Sequence, residues 1–147
     1  MSILRQGLLC ALSAVVFTAC EPGVALNPPV FTGDNPYAVQ AGDAGLMRGE
    51  VQIDSASLTL TKSQPPQAAL TLAYFQPTPC NNLRVEVSRP DARSRISVHA
   101  YAVAEKDKPC SLMALRTPLQ ASLNLGSFPT GHYSVWLNGV QVGEFDS

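Results

Sequence analysis

Residues 126–145, GSFPTGHYSVWLNGVQVGEF, read as two strands and a tight turn. Tyr133, Val135 and Leu137 alternate with Ser134, Trp136 and Asn138, the period of two that gives each face of a strand its own set of side chains. Asn138-Gly139 follows at once. That dipeptide is the strongest short-range hairpin signal, because both central residues of a type I′ turn take positive φ. Val140 to Phe145 then returns as the partner strand, so the chain ends in an antiparallel hairpin.

The same period runs back through most of the chain. EVQIDSASLTLT (50–61) places Val51 and Ile53, then Leu58 and Leu60, at alternate positions, with a bend expected at Asp54-Ser55. After QPPQ, AALTLAYF (68–75) is apolar enough for a central strand, and QPTP (76–79) interrupts it. LRVEV (83–87) and RISVHAYAV (95–103) also alternate. The second of these sets Ile96, Val98, Ala100 and Ala102 on one face, with Tyr101 and Val103 on the other beside His99. SRPDARS joins the two, and its Pro90-Asp91 is a turn former. Leu112 to Leu115 reads as a short strand or a single helical turn, and Leu119 to Leu125 as a strand with Leu123 and Leu125 inward. No stretch carries a sustained helical period. About seven short strands at roughly ten-residue spacing, with Pro and Gly between them, predict an all-β, antiparallel β-sandwich, with a small β-barrel as the alternative.

Pro129-Thr130-Gly131-His132-Tyr133, preceded by Leu125, resembles the turn before the penultimate strand of immunoglobulin-like and fibronectin type III-like domains. The resemblance implies an Ig-like sandwich in which the Tyr133 hydroxyl bonds back to nearby backbone as a tyrosine corner. The cysteine pair and tryptophan are not spaced as in antibody domains.

The N-terminal end is of another kind. MSILRQGLLCALSAVVFTAC has one side-chain cation, Arg5, then an apolar core from Gly7 to Phe17 and small residues before Cys20. That order is a secretory signal peptide, and the core is too short to span a bilayer, which takes roughly 20 apolar residues. Phe17-Thr18-Ala19-Cys20 resembles the lipobox of bacterial lipoproteins, with Phe where Leu is commonest. The resemblance implies removal of residues 1–19 and lipidation of Cys20, which becomes the amino terminus and attaches the protein to the membrane. Two or more acyl chains anchor stably where one does not. Glu21 rather than Asp after the cysteine leans, in enteric-type bacteria, toward an outer-membrane address facing the periplasm or the cell surface. Residues 20–49, rich in Pro, Gly, Asn and Asp, read as a flexible linker, in which Val30-Phe31 or Tyr37-Ala38-Val39 are the parts able to dock as a first strand. The sandwich domain is then expected over 50–147.

Subtracting Cys10 with the signal peptide and Cys20 with its lipid leaves Cys80 and Cys110. An isolated pair in an exported chain is expected to close as a disulfide. The alternatives are a redox site, which wants a close CxxC-type spacing, and a zinc site, which wants more ligands than two distant sulfurs and two histidines.

After residue 19 the chain has nine Lys and Arg against eleven Asp and Glu, a balance with no general attraction to nucleic acid. One tract departs from it: RVEVSRPDARSRI holds Arg84, Arg89, Arg93 and Arg95 against Glu86 and Asp91. It reads either as an anion-binding or partner-docking loop or as solvated strand ends. Trp136 is likewise an exposed anchor for a partner or glycan, or a residue covered by the linker. His99 and His132 fall in a strand and a turn, where a lone histidine is ordinarily a surface or packed side chain. There is no GxSxG, SxxK or HExxH and no glycine loop that would cradle a phosphate. The expectation is therefore a protein that is no enzyme and carries no cofactor or metal. It is expected to act as a lipid-anchored binding or accessory module that contacts another protein of the cell envelope. The alternative is an inhibitor of a hydrolase or a carbohydrate-binding lipoprotein.

Overall fold

A computed structural model describes residues 34–110 and 117–147. The expected signal peptide, Cys20, Val30-Phe31 and Leu112 to Leu115 lie outside the described residues. Within them the chain is all-β. Its strands are β1 (Met47–Glu50), β2 (Gln52–Leu60), β3 (Gln67–Phe75), β4 (Asn82–Val87), β5 (Arg95–Ala104), β6 (Leu119–Ser127), β7 (His132–Leu137) and β8 (Val140–Asp146). One sheet is the meander-like trio β2-β3-β6, and the other joins β1, β4, β5, β7 and β8.

The two sheets pack as a sandwich because alternation gives each an apolar face. In β3 every second residue, Ala68, Leu70, Leu72 and Tyr74, is buried, and Leu123 and Leu125 of β6 lie beside them. Ile96, Val98 and Ala100 of β5 with Val135 and Leu137 of β7 supply the opposing face. At one end the rings of Phe128, Tyr133 and Phe145 sit 5.1 to 5.4 Å apart between centroids. There the Tyr133 hydroxyl donates to the carbonyl of Pro129, 3.0 Å away, and fixes the turn into β7. Fully burying one such leucine or phenylalanine is worth about 1.5–3 kcal/mol, so the face-to-face contact dominates the stability of the domain.

Several local expectations appear where the residues place them. The register of β2 against β3 shifts between Ile53 and Ser55, a bulge at the expected bend. Asn138 and Gly139 take φ of 47° and 87°, as the β7–β8 turn requires. Cys80 and Cys110 are joined by a disulfide that clamps the open end of the β4–β5 hairpin.

Two features depart from the expectation. The pairing of β5 with β7 is parallel, which makes that sheet mixed rather than wholly antiparallel. Between them the chain visits the other sheet as β6, and the two reversals restore its original direction. Residues 34–49, assigned to the flexible linker, are laid against the sandwich instead. Asp34 accepts from the backbone of Asn124 in β6, Tyr37 accepts from Val85 in β4, and the Asn35 amide donates to the Val85 carbonyl at 2.8 Å. These bonds tie the strap across the side of the sandwich where β4 and β6 are edge strands. The folded unit thus starts by Asp34 rather than at residue 50.

Candidate functional site

The strand registers create a notch in the mixed sheet. β4 pairs with β5 from Val98 to Val103, β1 with Tyr101 to Ala104, and β7 with Arg95 to Val98. Because β4 overlaps both of the others, β1 and β7 must share the opposite edge of β5. Between them His99 and Ala100 meet no strand on that edge. Asn138 fills the break: its Oδ1 accepts from the Ala100 N–H at 2.8 Å and its Nδ2 donates to the Ala100 carbonyl at 3.0 Å. A side-chain amide thus completes a ladder that would otherwise leave buried backbone groups unpaired.

Above the break lies an open groove of about 790 Å³, on the face of the sheet turned away from the core. His99 and Tyr101 form its floor, Arg48 and Glu50 of β1 one wall, and Trp136 and Arg95 the other. Both arginines are stacked on rings. The Arg48 guanidinium lies 4.4 Å from the centroid of Tyr101, and that of Arg95 lies 5.5 Å from the Trp136 centroid. Each also leans on a carboxylate outside the groove lining, Arg48 on Glu86 at 3.5 Å and Arg95 on Asp91 at 3.0 Å. The Tyr101 hydroxyl donates to Glu86 at 2.7 Å. Its burial, followed by that contact with a carboxylate, raises the phenol pKa and keeps it a donor. The Trp136 indole N–H is taken by Ser134 Oγ at 3.1 Å, which pins the ring.

The four arginines of the sequence tract separate into three environments. Arg84 is buried, and its guanidinium grips Asp43 with two bonds, Nε to Oδ2 at 2.6 Å and the terminal nitrogen to Oδ1 at 2.9 Å. Arg84 is therefore a latch for the strap and not a binding residue. The hydrogen bonds from Arg84 hold the Asp43 carboxyl below its usual range, and Asp43 in turn raises Arg84. Arg89 and Arg93 are exposed in the turn before β5. Asp91 organises that turn by accepting from the backbone of Arg93 and Arg95 and from the Arg95 side chain, and the two backbone bonds lower its pKa most. Only Arg95 reaches the groove.

Trp136 is half-buried and lines the groove rather than lying under the strap. Of the two histidines, His99 lies in the groove floor. His132 sits at the opposite end of β7, with Nδ1 2.9 Å from Asp146. Among the described residues no three His, Cys, Asp or Glu side chains gather as a metal site. Sequence reasoning missed Arg48 and Asp43, which lie in a tract whose composition reads as linker, and Glu50, which opens the first expected strand segment. The short β1 offers only four residues of alternation, interrupted by Gly49.

No family model, curated protein or solved structure matches the chain.

Proposed function

We propose that the protein is a lipid-anchored, non-enzymatic binding module of the bacterial cell envelope, held to the membrane through acylated Cys20, and that it contacts another envelope protein through the groove beside Trp136. The observation that carries this reading is the groove itself. It places a pinned tryptophan, a second aromatic ring and two stacked guanidiniums on rigid strands at an open surface. Aromatic and arginine side chains held in this way dominate the energetics of protein interfaces. The open, solvent-facing shape suits a partner surface better than a small enclosed substrate.

A glycan-binding reading draws on the same Trp136 and His99 surface. The edge of β1 that meets no strand among the described residues favours a polypeptide, because only a polypeptide matches a strand's backbone donors and acceptors.

The test has two arms. Mass spectrometry of the native protein is expected to find residues 1–19 removed and Cys20 acylated; an unmodified Cys20 or another amino terminus refutes the anchor. A photo-crosslinking amino acid at position 99 is expected to capture one specific envelope protein in whole cells. The same probe at Thr59, exposed on the other sheet, is the control. Equal products from both positions refute the groove as the binding face.

A further inference from the structure

Resting on that reading of the groove, we infer that its occupant is an extended, acidic segment of the partner, lying beside β1 with its carboxylates on Arg48 and Arg95. Three observations meet here.

The first is the edge. β1 pairs with β5 on one side, and on its other side it meets no strand among the described residues. Arg48, Gly49 and Glu50 of β1 and Val51 just after it, four consecutive residues, line the groove, so main chain as well as side chain is presented. Addition of a strand to such an edge is a recurring way to hold an extended peptide. Met47 at the far end of β1 is 48% exposed, which gives that peptide an apolar contact beyond the groove.

The second is charge. The chain as a whole is net negative, yet the groove lining holds two guanidiniums against the single carboxylate of Glu50. The turn that leads into Arg95 adds Arg89 and Arg93, so that even with Glu86 and Asp91, the carboxylates paired with Arg48 and Arg95, the region holds four guanidiniums against three carboxylates. The lip of the groove therefore carries one net positive charge on a protein that is net negative as a whole. That polarity steers an acidic partner and discriminates against a basic one.

The third is preorganisation. Stacking on Tyr101 and Trp136 orients both guanidiniums before any partner arrives, so little rotamer entropy remains to be lost. The Arg48 side chain is 62% exposed and that of Arg95 41% exposed, which leaves donors turned to solvent.

Trp136 is the sole tryptophan of the chain, so its fluorescence reports on the groove directly. The probe is the blocked peptide Ac-Glu-Val-Glu-Thr-Glu-Val-Glu-amide, titrated into the lipidated or detergent-solubilised protein and followed by fluorescence and calorimetry. Saturable binding is expected, weakening about tenfold from low to high salt. Arg95→Gln and Arg48→Gln are each expected to weaken it about tenfold, and Lys62→Gln, an exposed cation in the β2–β3 turn, to leave it unchanged. Near-UV circular dichroism checks that each variant is folded. The same peptide with Gln for Glu binding equally well overturns the acidic specificity, and no heat and no fluorescence change overturn the proposal outright. Binding of polygalacturonate in place of the peptide assigns the groove to an anionic glycan and also overturns it. Capture at position 99 of a partner that lacks any acidic segment refutes this inference while leaving the proposed function standing.

Discussion

Opening the Cys80–Cys110 bond is expected to lower stability by several kcal/mol without changing the native fold. The two cysteines are 30 residues apart, and the closed loop contains the whole β4–β5 hairpin. The chain-entropy relation for a loop of that length gives roughly 12 cal/mol/K, or about 3.6 kcal/mol at 25 °C, gained by restricting the unfolded chain. Unfolding entropy near 2.1 cal/mol/K per residue, taken over a domain of about 110 residues, turns this into a fall in Tm of about 15 °C. The variant is Cys80→Ser with Cys110→Ser, compared with the oxidised protein by calorimetry and by circular dichroism in urea. The cross-link acts through the unfolded state, so near-UV spectra of the two folded proteins are expected to coincide. Wild type melted with a phosphine reductant is expected to match the double variant. A drop of only about 3 °C refutes the reasoning. It would mean that the reduced, unfolded chain already holds the β4–β5 hairpin, leaving the bond little entropy to remove.

Four further outcomes follow from single contacts. Tyr133→Phe removes one hydrogen bond, to Pro129 O, and keeps the packing on Phe128 and Phe145; the expected loss is about 1 kcal/mol, read as a fall in Tm of about 4 °C. Asn138→Gly keeps the positive φ of the turn but unpairs Ala100, so chemical denaturation is expected to show a loss of roughly 2 kcal/mol; an unchanged midpoint would show that the amide is dispensable. Asp43 has its pKa lowered from the ordinary 3.8, so the latch stabilises fully above that pH and fades as the pH falls through the folded value. Arg84→Gln is accordingly expected to lower Tm at neutral pH but to matter less in strong acid, and Arg84→Lys not to rescue it, because an ammonium cannot make the two-bond grip. His132 has its pKa raised above 6.5, first by its bond to Asp146, so its contribution is complete below that value and is lost as the pH rises through the folded pKa. Its nuclear magnetic resonance titration is expected to shift downward in Asp146→Asn.

The parts of the fold that were legible in the sequence are those written locally. Asn138-Gly139 sets its turn through the φ values of its own two residues. The alternation of Ile96, Val98, Ala100 and Ala102 marks the buried face of β5 without reference to anything else. What was hidden depends on distant partners. The alternation in LRVEV puts Arg84 on the outward face, which reads as solvated, and only the arrival of Asp43 from 41 residues away buries it. Tyr101 and Val103 point outward by the same rule, yet both are buried there. The parallel β5–β7 pair has no local signature at all, because strand direction depends on the route the chain takes through the other sheet. The arginine tract likewise gave composition but no assignment. Its members end as a latch, two exposed cations and one groove wall according to contacts that spacing alone does not encode.

The groove follows from the same route. β5 spans Arg95–Ala104, ten residues, and β1 and β7 each take four of them on one edge, leaving His99 and Ala100 between. β1 stops there because Val51 turns into the core and the chain crosses to the other sheet as β2. β7 stops there because Asn138-Gly139 reverses it. A fold that let either strand run two residues further would close the ladder and fill the space in front of His99. The strand switch that builds the sandwich thus also opens the notch, and the asparagine of the hairpin turn heals its backbone without covering its face. The groove made this way is framed mainly by strand residues, with Asn138 and Gly139 of the hairpin turn and Val51 after β1 completing its lining. Arg48 and Arg95 are both carried by strands on either side of the break, so under the proposal above the charges that meet them would set the selectivity of the groove.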